Sequence, residues 1–559
     1  MVCLFISFAL FLLALLPRAY DLPRFVTADE AKWVYRSAQF LAALLQGNFS
    51  GTSVNLTPAV TTTWLGSLGL AVYYQLHRAA LDLSFSDWLL SLPDFRTQLD
   101  VLVATRWPMV ILTSLGVVVI YWLTCRLFSP LIALVGAVFV ALDPHLVSLS
   151  RILGHDAPAA IFMTISVLLL LLALNQAEEQ KSKGAGEEDE NLTTAPLHHC
   201  TTAPLLLFIL SGLAAGLAFL SKTPTLFLIP FAGLVFIARL WGNSRRLYFW
   251  LKRLLLWTGV AYLTFIVFWP AAWVEPLERP LAVVESAFLS ATDQEEADEE
   301  GYWLVPDLGP FYYLVNGIFK LSPLVMTGLL LTLIQLAMTN YRLSKNHPSN
   351  RPTNYLTSHP PTQPPFDRNY PSTLLWLLAF VLLFTLFMTF SDKRSVRYIL
   401  PIFPALALLA ASGWLWLYQV ASRRGQVAGH RWQVAGGRWQ VAGGRWQVAG
   451  GRWQVAGRRS QVASHRSQVA GGRSQDASDI LLTPRSPLHA LRSTPSAPLV
   501  IFSTSLILAA LLILLPYAPY YFTYYNPLVG GPFTAPRLVT IGWGEGLDQV
   551  GRFLQREAE

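Results

Sequence analysis

Long apolar runs alternate with short polar breaks along almost the whole chain. Runs fall near 1–16, 107–125, 130–146, 157–174, 204–220, 224–240, 253–270, 321–338, 373–390, 398–418 and 499–518. A helix of about 17 to 25 apolar residues crosses the roughly 30 Å hydrocarbon core with its backbone groups satisfied internally. The pattern therefore predicts an all-α polytopic membrane protein with about eleven transmembrane helices. The first run is short and starts at the initiator methionine, so it is expected either to sit shallow or to have a misassigned start. It has neither the basic leader nor the small-residue cleavage site of a signal peptide. Between the first two runs, AKWVYRSAQFLAALL (31–45) has helical apolar spacing. It is expected to lie along the membrane surface as a juxtamembrane helix.

Composition sharpens this picture. The chain is 53% hydrophobic and 13% charged, whereas a soluble domain carries about a quarter charged residues. Cys3, Cys125 and Cys200 have no metal-ligand or framework spacing, so neither disulfides nor structural zinc are expected. The placement of the +8 net charge matters more than its size. Alternating the spans from a cytoplasmic N-terminus puts 239–253, 342–351 and the Arg-rich stretch after Tyr418 inside. Loops 17–106, 147–156, 271–320, 391–397 and the C-terminal tail then face outward, and 271–320 carries the acidic run Asp293 to Glu300. Basic inside and acidic outside is the expected bias.

Residues 424–475 repeat every seven, as in GRWQVAG. The unit has paired glycines and no second apolar seam position, which argues against a coiled coil. A disordered basic cytoplasmic loop is expected there, dividing the chain into a bundle (1–418), a loop (419–497) and a last span with a short outer tail (498–559). Loops 175–203 and 343–372 are also expected to be unstructured.

The informative residues are the basic ones on the outer side. Arg106 opens the second span, Lys222 lies between the fifth and sixth, and Lys393, Arg394 and Arg397 crowd one short loop. Snorkelling at a helix end explains any one of them. A shared anionic ligand such as a phosphate explains all three loops together. An acid pair, Asp29 and Glu30, stands in the first outer loop. Thr27 and Glu30 fit a capping box, which gives Glu30 a structural role. Asp29 has only the favourable first-turn charge to explain it, and it could act as a general base. His155 and Asp156 begin the fourth span. His145 and His155 are too sparse a pair to define a metal site. A divalent metal is left open.

These elements resemble, in order, the GT-C glycosyltransferases of the protein O-mannosyltransferase type (glycosyltransferase family 39) and the lipid A aminoarabinose transferases. The resemblance rests on Ala28-Asp29-Glu30, PAVTTTWLG (58–66), the Arg106-led span, SRILGHD (150–156) and GLAAGLAFLSKTP (212–224). It continues through FWPAAWVEP (268–276), KRSVRYILPIFPALALLAASG (393–413), YYNPLVGG (524–531) and GWGEGLDQVGRFL (542–554). It implies a GT-C bundle in a bacterial plasma membrane, with a polyprenyl-phosphate-linked sugar as donor and an extracytoplasmic protein, lipid or glycan as acceptor. By position Asp29 would be the general base and Glu30 its neighbour in the motif. Arg106, Lys222, Lys393, Arg394 and Arg397 would hold the donor phosphate, and His155, Asp156 and Trp64 would touch acceptor or sugar. Relatives often have His-Pro-Gly where this chain has Thr57-Pro58-Ala59, which puts acceptor or sugar contacts there in doubt. An outward-facing recognition domain found after the last span of many relatives is expected to be missing. No nucleotide-binding glycine loop and no nucleic-acid partner are expected. The competing reading is a transporter or flippase, but charges here sit at span ends and no repeated half is visible.

Overall fold

A computed structural model describes residues 2–24, 26–55, 58–93, 97–187, 202–240, 247–292, 308–345, 370–391, 393–422, 497–539 and 543–558. The regular elements among them are all helical. They are α1 (Val2–Ala19), α2 (Glu30–Leu45), α3 (Val60–Leu81), α4 (Phe85–Ser91), α5 (Leu99–Leu127), α6 (Pro130–Leu142) and α7 (Pro144–Ser150). Then come α8 (Asp156–Glu187), α9 (Thr202–Ser221), α10 (Leu228–Leu240), α11 (Leu247–Phe268), α12 (Ala271–Val274) and α13 (Glu278–Thr292). The rest are α14 (Tyr312–Lys320), α15 (Pro323–Lys345), α16 (Tyr370–Thr389), α17 (403–422), α18 (Ala497–Leu514), α19 (Gly531–Thr534) and α20 (Leu547–Ala558).

Among the described residues, eight helical segments are long and apolar enough to cross a membrane, two bent pairs qualify when joined, and Cys3–Ala19 is a shorter apolar helix. Eight, two and one make the eleven apolar segments expected, although two of them are not straight. α6 and α7 meet at 58°. Pro144 opens α7 and cannot continue the hydrogen-bond ladder, while Asp143 caps the new helix by accepting from the Leu146 amide at 2.9 Å. The segment before α15 turns by 116°. There Pro323 starts the new helix and Ser322 accepts from the Val325 amide at 3.2 Å.

Two other boundaries differ from expectation. α5 begins at Leu99, so Arg106 lies two turns inside the helix instead of opening it. α8 runs to Glu187, so the first part of the loop expected from 175 is helical. α8 is apolar on all sides and 89% of its spanning window is buried, as suits a helix in the centre of a bundle. The repeat at 424–475 and the acidic run from Asp293 to Glu300 lie outside the described residues.

α2 was expected along the membrane surface, but its apolar face is covered by protein. Trp33, Val34, Ala38 and Ala42 pack with Leu70, Tyr73 and Tyr74 of α3 and Trp88 and Leu89 of α4. Gly69 lets α3 lie directly against α5. A Cβ there would come within 2.5 Å of the Ala104 carbonyl and the Thr105 Cα. Through these contacts α2 and α3 stand beside the first turns of α5.

The chain separates into two compact units, residues 1–414 with 501–559, and residues 415–500. In the second, the described residues are the helical 415–422 and 497–500. All the site residues considered below belong to the first.

Candidate active site

The acid pair divides into two carboxylates with different surroundings. Glu30 is fully buried against Arg106, itself fully buried. Arg106 Nε donates to Glu30 Oε1 at 2.7 Å and Nη2 to Oε2 at 2.5 Å, a two-pronged fork. Glu30 also accepts from the amides of Leu153 at 3.0 Å and Thr27 at 3.0 Å. Arg106 Nη1 donates to the carbonyl of Leu22. Arg106, expected among the phosphate ligands, has its guanidinium enclosed and engaged by Glu30 and a backbone carbonyl. The capping box forms only by half. The Glu30 side chain reaches back to the Thr27 amide, but Asp29 takes the N-cap position without a side-chain bond. The Thr27 hydroxyl is buried with no partner among the described residues.

Asp29 faces outward from the same helix start. Its Oδ2 accepts from Arg397 Nη1 at 2.8 Å, across 368 residues of sequence. The pair is open: the side chains of Arg397 and Asp29 are 22% and 38% exposed. Arg397 makes no other hydrogen bond to the described residues, so most of its donors remain available. Its guanidinium stands 4.8 Å from the Trp543 ring centre. The next residue, Tyr398, presents its ring 4.0 Å from Lys222 Nζ, and Lys222 in turn pairs with Asp156. Two acids and two cations from four separated segments thus meet at one rim. α3 lies against it as well, since Thr61 and Ser221 hydroxyls are 2.8 Å apart and Thr62 donates to the Gly154 carbonyl at 3.2 Å.

Burial shapes the electrostatics. It holds the Lys222 ammonium down to a pKa of about 8, partly offset by Asp156. His155 is lowered to about 3, again mainly by burial, so it is neutral at physiological pH. Its ring meets Trp33 edge-on with centroids 5.2 Å apart, and its Nδ1 has no hydrogen-bond partner among the described residues.

The other candidates separate. Arg394 donates to the carbonyls of Ser391 at 3.2 Å and Gly309 at 3.1 Å, bracing the turn that presents Arg397. Lys393 is half-buried in the same turn. Trp64 donates its indole N–H to the Phe268 carbonyl at 2.8 Å and packs edge-on against Phe40. That ties α3 to the end of α11. Sequence reasoning missed Tyr398 and Trp543, although both sit inside motifs already singled out. It also missed Arg151, which donates to the carbonyls of Pro519, Tyr20 and Asp21 and clamps the ends of distant loops. Among the described residues no three His, Cys, Asp or Glu side chains gather closely enough to hold a metal ion.

Fold and site define a class: an all-helical polytopic membrane protein that gathers paired acids and cations at one end of its bundle. Residues 94–183 match the family model described as dolichyl-phosphate-mannose-protein mannosyltransferase, a segment that includes Arg106, His155 and Asp156. That match covers 90 of the 559 residues and agrees with the resemblance carried by the ordered motifs of the sequence. No curated protein matches it. Among solved structures it is similar to ArnT from Cupriavidus metallidurans bound to undecaprenyl phosphate, with 15% identity, a TM-score of 0.43, and 74% of this chain and 59% of that one covered. It is similar to the oligosaccharyltransferase AglB from Archaeoglobus fulgidus, in complex with an inhibitory peptide and a dolichol-phosphate, at 14% identity and a TM-score of 0.44, covering 76% and 52%. The S. cerevisiae protein O-mannosyltransferase Pmt1-Pmt2 complex bound to the sugar donor matches at 19% identity and a TM-score of 0.33, covering 50% and 34%. The chain thus spans less than two thirds of each of these proteins.

Proposed function

We propose that this protein is a membrane glycosyltransferase that moves a sugar from a polyprenyl-phosphate donor to an acceptor hydroxyl on the extracytoplasmic face of a bacterial plasma membrane. The observation that carries this reading is the open Asp29–Arg397 pair, with Lys222 and Asp156 beside it. A carboxylate half-exposed at a rim can take a proton from an incoming hydroxyl. The acceptor oxygen then attacks the anomeric carbon from the face opposite the lipid phosphate, and the carbon–oxygen bond to that phosphate breaks with inversion. The leaving polyprenyl phosphate keeps the electron pair. The unused Arg397 donors and the Lys222 ammonium are placed to stabilise its charge, an electrostatic role worth about 3–4 kcal/mol for a well-placed donor. In this reading Glu30 and Arg106 position Asp29 and touch neither substrate.

The test is transfer in reconstituted vesicles from labelled polyprenyl-phosphate sugars, with mannose and aminoarabinose forms run in parallel. Wild-type protein should release free polyprenyl phosphate, and Asp29→Asn should still bind the lipid but release it about 10²- to 10⁴-fold more slowly. Wild-type turnover by Asp29→Asn removes Asp29 from the mechanism. Movement of the intact lipid between leaflets without release would establish a flippase instead.

A further inference from the structure

α20 is a twelve-residue helix whose polarity is reversed with respect to the protein it rests on. At 100° per residue, Leu547, Val550, Phe553 and Leu554 fall on one face, with Glu557 in the last turn of that face, and Asp548, Arg552 and Arg556 on the other. In a water-soluble domain the apolar face would turn toward the core. Here the attachment is polar. The Tyr520 hydroxyl lies 2.9 and 2.8 Å from the two Asp548 oxygens, and Arg24 pairs with Asp548 at 3.6 Å. Asp548 is the one residue of the described helix that is not exposed. Val550, Phe553 and Leu554 point away, 51%, 55% and 60% exposed.

Its position says what covers that face. Leu547 and Asp548 line a shared cavity with Asp21, Arg24 and Leu99. Leu99 is the first residue of a membrane-spanning helix, and Asp21 follows the apolar α1 by two residues. α20 therefore starts beside the ends of two apolar helices, α1 and α5. A helix there, held to the protein by its polar side, turns its apolar side to lipid.

We propose that α20 is an interfacial helix whose apolar face inserts into the lipid surface on the side of the bundle that carries the site. The bilayer then anchors the segment leading back to Trp543, which stands over Arg397. Gly544 and Gly546, at φ +90° and +83°, make the turn between them in backbone conformations that a side chain would strain.

The test uses the full chain with Cys3, Cys125 and Cys200 replaced by alanine and reconstituted in phosphatidylcholine vesicles. A nitroxide is placed at Leu554→Cys, at Val550→Cys, or at Gln555→Cys as the polar-side reference. Labels at 554 and 550 should collide more with oxygen and less with a water-soluble nickel chelate than the label at 555. Equal nickel access at all three positions places the helix in water and overturns the proposal. Shielding of 554 and 550 from both quenchers means that protein covers the face, and overturns it too. The two labelled positions are independent, so failure of one variant to fold leaves the other to decide.

Discussion

Glu30–Arg106 and Asp29–Arg397 are acid–arginine pairs that begin one residue apart and end as opposites. Each Glu30 oxygen receives two donors, from Arg106 and a backbone amide, and water is excluded from both side chains. Asp29 meets one guanidinium nitrogen, and both partners keep contact with solvent. Enclosure makes the first pair a structural lock, because a buried charge that loses its partner has no water to replace it. Openness leaves the second pair with unused lone pairs and donors, which reacting groups can occupy. Adjacent carboxylates therefore carry different work because the chain folds over one and not the other.

The sharpest break of this comparison is in stability. Glu30→Ala should cost about 3–5 kcal/mol, the usual loss when one member of a buried pair is removed. Asp29→Ala, in the exposed pair, should cost only about 0–1 kcal/mol. Thermal unfolding of the purified protein in detergent reads both, and equal losses would erase the distinction drawn between the pairs. Replacing Glu30 and Arg106 together by Gln and Met should recover part of the loss, since no charge is then stranded.

Activity should rank the pairs the other way. Asp29→Asn should lower transfer by about 10²- to 10⁴-fold, the range for a positioned general base, at an unchanged melting temperature. A smaller change is expected at Arg397. Arg397→Lys keeps the charge but loses the planar fork, and donor-lipid binding should weaken about tenfold, or ~1.4 kcal/mol, in a vesicle binding isotherm.

Lys222 adds a pH signature. Burial places its pKa near 8, so raising pH through that value removes the proton and with it a positive charge from the rim. Polyprenyl phosphate binding should fall across that interval, and Lys222→Arg should flatten the profile. A bound anion raises the same pKa, so the fall should move to higher pH at saturating lipid. His155, held near 3, contributes no limb between pH 5 and 8. The smallest effect is expected at Trp543→Ala, where the lost cation–π contact with Arg397 is worth about 0.5–1 kcal/mol in lipid binding.

The two amphipathic helices flanking the rim show where sequence reading succeeds and fails. α2 and α20 both have an apolar stripe at helical spacing, the pattern from which α2 was expected to be a surface helix. α2 is covered by α3 and α4, whereas α20 leaves its stripe exposed. Periodicity records that a face is apolar, not whether protein or lipid meets it. Sidedness singled out Lys222 and Arg397, because short loops rarely keep cations on the outer side without cause. The same rule singled out Arg106, which pairs with the buried Glu30, because sidedness cannot tell a cation facing a ligand from one facing a buried glutamate. Pro144 and Pro323 open the helices after the two bends, and the apolar runs 130–146 and 321–338 pass over both without a break.

The amino-acid order by itself determined the helical class, the apolar segments and the presence of an acid pair and a short basic loop. These are local properties, set by run length against bilayer thickness and by charge against hydrocarbon. Tertiary structure alone decided which acid meets which arginine, over 76 residues for Glu30 and 368 for Asp29. Such partners are chosen by the packing of α3 against α5 and by the turn that delivers Arg397, and no local pattern encodes either distance.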